Sequence, residues 1–376
     1  MKNILFIHQA SELYGSDKTL LYLLKSLDKA KFNPVVVLPN EGPLKTEIEN
    51  ENITVVIAPV LKLYRNLFTI KNLIKFIRDF KEGFVQIKHL NKKYNFDVIY
   101  SNTLAVLIGY FSAKFLKKQH IWHVHEIIES PNIVSKIFRY LLNRSTNKLV
   151  IFNSKATQKF WNIKTKNSVV WNGVDRNNFE YSNDYNLISK LDDDKLKIAL
   201  IGRISRWKGQ QILLDAFSEL IKKHKNIMLL FVGSPPLGQE HFLNELVSKI
   251  ELNRLQESVS VIPFQKDINK IWKQIDIAVV PSTEPEPFGL VAIEAMMASK
   301  PVIGSNHGGL KEIIIHNETG FLFTPNDKEN LKFYLNELIA NSTLRETMGK
   351  NGLNRAIKFF SIETYAKSIQ NLLSNI

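Results

Sequence analysis

Apolar residues recur along this chain in short runs, apolar on both faces and rich in β-branched side chains, and each run is followed by a stretch of helical periodicity. Two passages share one order of strand, glycine-containing loop and amphipathic helix. In the first, a strand over 4–8 leads through a loop holding Gly15 into the helical pattern 19–24. In the second, a strand over 198–201 leads through the loop from Gly202 to Gly209 into a helix over 212–220. Further strands are predicted at 34–38, 55–57, 97–100, 149–152, 228–232, 259–262, 277–280 and 301–303, with helical stretches between them. Strands this short and this uniformly apolar belong to parallel sheets buried between helical layers. The fold class is therefore α/β, with two doubly wound domains.

The 376 residues exceed what one core usually organises. No apolar period survives in the polar stretch after Trp171 to Asp175, from Asp184 to Asp194. The expected organisation is a first domain over 1–173, a linker over 174–195, a second domain over 196–352 and a C-terminal helix over 353–376. That helix is amphipathic from Leu353 to Leu373 and is expected to pack back across the seam between the domains.

Composition narrows the class. With 44% apolar and 23% charged residues, 16 Gly and 13 Pro, the chain is globular rather than disordered or fibrous. It has no cysteine, which excludes disulfides, thiolate metal sites and cysteine nucleophiles and fits a reducing compartment. The apolar run 4–7 is too short for a secretory signal, and no run of 18 uncharged apolar residues occurs, so a cytoplasmic location is expected. The charge is uneven: residues 1–173 hold 26 Lys+Arg against 12 Asp+Glu, while residues 174–376 hold 24 of each. An anionic partner for the first half follows, either nucleic acid or an anionic membrane surface.

The segment from Pro281 to Met297 carries the most chemistry. A strand ends near Val280, a proline-constrained loop follows, and a helix begins around Gly289. Glu286 falls in the loop and Glu294 about two turns into the helix, at the carboxyl edge of the sheet where open α/β folds bind ligands. Carboxylates there suit sugar hydroxyls, and the amides of Phe288, Gly289 and Leu290 at the helix start suit phosphate. Taken alone, the segment equally fits a capped helix with its glutamates at the surface. The loop Gly202 to Gly209 adds Arg203 and Lys208, two cations where a diphosphate would lie. That loop is neither a Walker loop nor Gly-x-Gly-x-x-Gly, which argues against a kinase or a dehydrogenase. Arg206 and Trp207 read as a surface charge and a loop anchor.

On these residues the chain resembles the retaining, GT-B-fold glycosyltransferases of family 4. The resemblance covers nearly the full length. It rests on the Glu-x7-Glu element from Glu286 to Glu294, Gly202-Arg203 with Lys208-Gly209, Asn172 to Asp175, Phe231 to Gly233, and Gly308-Gly309 with Glu312 and the run Thr319 to Leu322. It implies two Rossmann-like domains facing across a cleft, a nucleotide-diphosphate sugar (UDP- or GDP-linked) on the second and an acceptor on the first. Arg203 and Lys208 would neutralise the diphosphate in place of a metal, so that neither metal nor cofactor is required. Glu286 would contact donor-sugar hydroxyls, and Glu294 the ribose. Gly15 and Gly202 would let backbone approach the donor, although the family's loop often has two adjacent glycines where this chain has only Gly15. His125 matches the family's active-site histidine, and Lys208→Ala would abolish most turnover while the fold survives.

Some residues read as bystanders. His123 alternates with His125 along a strand and so is expected to point away from it. Glu126 could be taken for a general base, but the family scheme usually lets the leaving phosphate take the acceptor proton. Asp192, Asp193 and Asp194 look like a metal cluster, yet their place between domains suits a solvated linker better. From 61 to 93 nine basic residues, Lys62, Arg65, Lys71, Lys75, Arg78, Lys81, Lys88, Lys92 and Lys93, interleave with Ile, Leu and Phe. That pattern fits a helix at a membrane surface and equally an ordinary surface helix. The expected function is transfer of a hexose or hexosamine to a glycan or lipid-linked acceptor in envelope polysaccharide synthesis. The alternatives are a nucleotide-sugar 2-epimerase of the same fold or a basic nucleic-acid-binding protein, and for the last no recognisable motif exists.

Overall fold

A computed structural model describes the chain except residues 14, 62–69, 177–193 and 266, and for 70–73 it describes the backbone alone. Two compact units result: Met1–Gly173 with Ile362–Ile376, and Val174–Ser361. The linker residues 177–193, Asp192 and Asp193 among them, lie outside the described residues, as do Lys62 and Arg65.

The first unit holds a parallel sheet in the order β3-β2-β1-β4-β5-β6-β7. Its elements run β1 (Lys2–His8), α1 (Gly15–Ser26), β2 (Phe32–Leu38), α2 (Pro43–Glu49), β3 (Thr54–Ile57), α3 (Ile70–Tyr94), β4 (Val98–Asn102), α4 (Leu107–Leu116), β5 (Gln119–Val124), α5 (Asn132–Leu142), β6 (Asn147–Phe152), α6 (Lys155–Trp161) and β7 (Asn167–Val169). The order reverses between β1 and β4, so the carboxyl ends of those strands, at His8 and Asn102, mark the switch point. One layer of side chains, including Leu5, Ile7, Ile99 and Trp122, packs under α3, α4 and α5. The opposite layer, including Ile4, Phe6, Tyr100 and Ile121, packs under α1 and α2. Both faces of each central strand are therefore dry, as the unbroken apolar runs require.

The second unit repeats the plan with the order β10-β9-β8-β11-β12-β13. It contains β8 (Leu196–Ile201), α7 (Gln210–Lys223), β9 (Ile227–Val232), α8 (His241–Leu252), β10 (Val259–Ile262), α9 (Asn269–Gln274), β11 (Ile277–Val280), α10 (Leu290–Met297), β12 (Val302–Ser305), α11 (Leu310–Ile313), β13 (Gly320–Phe323), α12 (Lys328–Ala340) and α13 (Ser342–Phe360). Its switch point lies between β8 and β11.

The end of the chain differs from the expected single helix over 353–376. Helix α13 stops at Phe360, Ser361 is extended (φ −72°, ψ 155°), and α14 (Ile362–Ser374) is a separate helix of the first unit. The break follows from hydrogen bonding: Val174 N–H donates to Phe360 O (2.9 Å) and Val174 bridges Ser361, which draws the backbone out of the helical path. Tyr365, Ile369 and Leu373 of α14 are buried in the layer that holds Leu20 and Leu24 of α1. Lys2 Nζ donates to Leu373 O and Ile376 O, and Gln370 receives Asp28 N–H, which caps this packing with polar contacts.

Candidate functional site

In the second unit the loops that leave β8 and β11 are knitted to each other. Gly202 N–H continues the sheet by donating to Val232 O (2.9 Å), and Gln210 Nε2 holds Arg203 O (2.9 Å). Gly209 caps α7 at φ 80°, and a Cβ there would lie 1.9 Å from Pro281 O, so the two loops touch backbone to backbone only because residue 209 has no side chain. Thr283 N–H donates to Trp207 O (2.8 Å). Trp207 thus anchors the loop as expected, and Arg206 pairs with Glu284 at the surface.

These contacts bring Lys208 to Glu286. Lys208 Nζ donates to Glu286 Oε1 at 2.6 Å, and Ser282 Oγ donates to the same oxygen at 2.6 Å. Glu286 is buried and the Lys208 side chain is only 19% exposed, so this is a desolvated, charge-assisted pair rather than a surface contact. Among the described residues Glu286 Oε2 accepts no hydrogen bond. Gly309 N–H donates to Glu286 O (2.8 Å), and His307 Nε2 donates to Ser282 O (2.9 Å), so the segment 304–309 buttresses the loop from behind.

The remaining expected residues of the second unit belong to the same loops and to α10. Gly289 is the N-cap of α10 (φ 117°) and Leu290 its first residue, so the helix begins where the sequence places it. Phe288 is buried against Phe360, with ring centroids 6.1 Å apart. Glu294 is a half-buried residue of α10, and Arg203 is exposed on the β8 loop. Ser282, Gln210 and His307 were not singled out in the sequence. Only their hydrogen bonds mark them, although Ser282 sits inside a motif that was.

The first unit gathers its own polar cluster at the ends of β1, β4 and β5. His8 Nε2 lies 2.7 Å from Asp17 Oδ1, both buried. Asn102 reaches His8 Nδ1 through Nδ2 (3.0 Å) and His125 Nε2 through Oδ1 (3.2 Å). Two expectations need correction. Gly15 is not in a loop but is the first residue of α1, where its carbonyl accepts from Thr19 Oγ1 (2.8 Å). His123 does not point away from His125: their ring centroids are 4.1 Å apart. Strand β5 ends at Val124, so side-chain alternation no longer governs residue 125. His123 is fully buried, and its Nδ1 lies 2.8 Å from the Tyr100 hydroxyl.

Burial sets the charge of these groups. Desolvation holds the His123 imidazole down at about 3 and that of His120 at about 4. His125 is held well below the usual imidazole range by desolvation first, then by the His123 and His8 charges. Desolvation pushes the Glu126 carboxyl up to about 7, although Oε2 accepts from the N–H groups of Leu104 (3.2 Å) and His125 (2.9 Å). His8, Asp17 and Asn102 were legible only as polar residues ending apolar runs or opening a helix. Among the described residues no group of three or more His, Asp or Glu is arranged to hold a metal ion.

Family models match both units. The model of the glycosyl transferases group 1 matches residues 184–355, and that of glycosyltransferase family 4 matches residues 14–178. Each model covers a little under half of the chain, and together they mark both units as similar to glycosyltransferases. The structure of Anabaena Alr3699/HepE in complex with UDP-glucose superposes on this glycosyltransferase fold with a TM-score of 0.86, at 26% identity and covering 100% of both chains. The fold is thus GT-B. Among curated relatives, spore coat protein SA of Bacillus subtilis is 33% identical over 232 residues, 58% of this chain and 60% of that protein. The capsular polysaccharide biosynthesis glycosyltransferase CapM of Staphylococcus aureus is 30% identical over 203 residues, 54% of this chain and 52% of that protein. The match thus spans little more than half the length of either relative.

Proposed function

We propose that this protein transfers a hexose or hexosamine, with retention of configuration, from a UDP- or GDP-sugar to a glycan or lipid-linked acceptor of an envelope polysaccharide. The observation that carries the reading is the buried Lys208–Glu286–Ser282 cluster at the switch point of the second unit, beside the N-terminus of α10. Glu286 locks one ammonium proton of Lys208 and keeps Oε2 for a donor-sugar hydroxyl. The remaining ammonium protons, the Arg203 guanidinium and the first-turn amides of α10 then meet the diphosphate, and their positive charge stabilises the leaving nucleotide. Glu294 takes the ribose. The cations stand in for a divalent ion, and the reaction needs none. The likeness to a UDP-glucose complex and to a capsular glycosyltransferase supports this choice of donor and pathway.

The acceptor side belongs to the first unit, which works at the cytoplasmic face of a membrane. Helix α5 exposes Ile133, Ile137 and Tyr140 on one face, with Lys136 and Arg144 beside them. Helix α3 exposes Ile74, Ile77 and Val85 among Lys75, Arg78, Lys81 and Lys88. Apolar tips within a basic field suit an anionic leaflet, at about 1 kcal/mol per lysine near the surface. Among the described residues no helix is long and apolar enough to cross a membrane.

A thermal-shift panel of UDP-, GDP-, ADP- and CDP-sugars, with and without EDTA, tests the donor assignment. One nucleotide class raises the midpoint selectively and EDTA leaves that shift intact. An equal response to all classes, or strict dependence on added metal, overturns it.

A further inference from the structure

The segment that backs the Glu286 loop is itself held from α13. Helix α11 has only four residues, Leu310–Ile313, and the last carbonyls of a helix find no partner within it. Arg355 of α13 supplies one. Its Nε donates to Ile313 O (2.8 Å) and its Nη2 to Glu312 O (2.7 Å), so one planar guanidinium spans two successive carbonyls. The same guanidinium is half-buried over the rings of Phe359 and Phe360, 5.1 and 5.5 Å from their centroids. A fork held by two hydrogen bonds and two ring faces has little freedom, and the end of α11 shares that fixity.

The other end of α11 meets the candidate site backbone to backbone. Gly309 N–H donates to Glu286 O (2.8 Å), and Cβ atoms at Gly308 and Gly309 would lie 2.3 Å from Glu286 O and 2.5 Å from Phe288 Cα. Leu310 is buried against the N-cap of α10, where a Cβ on Gly289 would lie 2.7 Å from Leu310 Cδ2. Packing this close leaves no slack, so a shift of α11 must carry residues 286–289 with it. A second route runs through side chains. The Phe360 ring under the guanidinium abuts the Phe288 ring, with centroids 6.1 Å apart. Both routes start at Arg355 and end at residues 286–288.

We propose that Arg355 is a positioning residue for Glu286: by clamping the carboxyl end of α11 it sets where the Glu286 carboxylate stands toward a hydroxyl of the bound saccharide. The saccharide rests on the transferase reading above; the clamp does not. Local amide hydrogen exchange tests the clamp with no ligand present. In Arg355→Leu the amides of 284–290 and 307–313 are expected to exchange about tenfold faster than in wild type, while those of α7 and α8 keep their rates. Arg355→Lys keeps the charge but cannot span both carbonyls, so it shows the same pattern at smaller size and stands in if the leucine variant fails to fold. Unchanged exchange at 307–313, or a rise spread evenly over the second unit, overturns the proposal.

Binding separates positioning from a general loss of stability. Calorimetric affinity for the matching nucleotide sugar falls about tenfold in Arg355→Leu, whereas the same substitution added to Glu286→Gln changes affinity by less than about twofold, because the carboxylate it positions is already gone. Equal effects in the two backgrounds also overturn it. If the wild type takes no nucleotide sugar, the transferase reading fails and amide exchange still decides the clamp.

Discussion

At the scale of single residues, the decisive contact is the ion pair between Lys208 and Glu286, and it changes what a substitution there reports. The sequence offers Lys208 as a cation for a diphosphate, so Lys208→Ala would be a clean test with the fold intact. In the structure, truncating Lys208 strands a buried carboxylate that keeps, among the described residues, only Ser282 Oγ as donor. Breaking a buried pair from one side costs about 3 kcal/mol, whereas neutralising both partners at constant volume costs little. Lys208→Ala is therefore expected to lower the chemical-denaturation midpoint as well as turnover, while Lys208→Met combined with Glu286→Gln keeps the wild-type midpoint. Equal stability of all three proteins would show that the pair is not desolvated. Lys208 and Glu286 were legible because their residue types and spacing are unusual. Ser282, Gln210 and Asn102 were not, because one hydroxyl or amide in a loop or at a strand end looks like any other until its partner is placed.

At the scale of elements, strands were legible wherever they are buried on both faces. Strand β5 was read only from the alternation of His123 and His125, and the two not predicted at all are β7 and β13. The first has only three residues, all half-buried, so neither an apolar run nor an alternation appears. The second begins at Gly320, beside the Asn317 turn, and its four residues read as a motif rather than a strand. The break between α13 and α14 was invisible because both helices are amphipathic and the bond that interrupts them comes from Val174, far away in sequence. The loops at the second switch point depend on a glycine as much as on a charge. Gly308 sits at φ 58°, and a Cβ there would lie 2.3 Å from Glu286 O. Gly308→Ala must push the Glu286 loop outward, and a strained backbone of this kind costs roughly 1–3 kcal/mol. A lowered thermal midpoint and weakened nucleotide-sugar binding are expected together. Unchanged binding in this variant would show that the loop carrying Glu286 does not shape the donor site.

At the scale of the whole molecule, two units of the same strand plan carry different chemistry: a basic one with buried neutral histidines, and a charge-balanced one with a buried ion pair. The histidines make the fold acid-sensitive. The unfolded chain takes protons near 6.5, while His120 and His123 stay neutral down to about 4 and about 3 and His125 also stays neutral. The unfolded state therefore binds more protons below 6.5, and stability falls as pH drops from there. Glu126 acts in the opposite sense, since its raised carboxyl favours the folded state below about 7, but it is one group against three. The thermal midpoint should fall between pH 6.5 and 5, and His123→Gln should flatten that slope; a midpoint independent of pH over this range would contradict the burial of neutral imidazoles. The most direct measurement of donor recognition is calorimetric titration of the matching nucleotide sugar into the wild type and into the double variant Lys208→Met, Glu286→Gln. Loss of the charged contacts should weaken binding on the order of 100-fold in a protein that remains folded. Equal affinity in the two proteins would place the donor somewhere other than this pair.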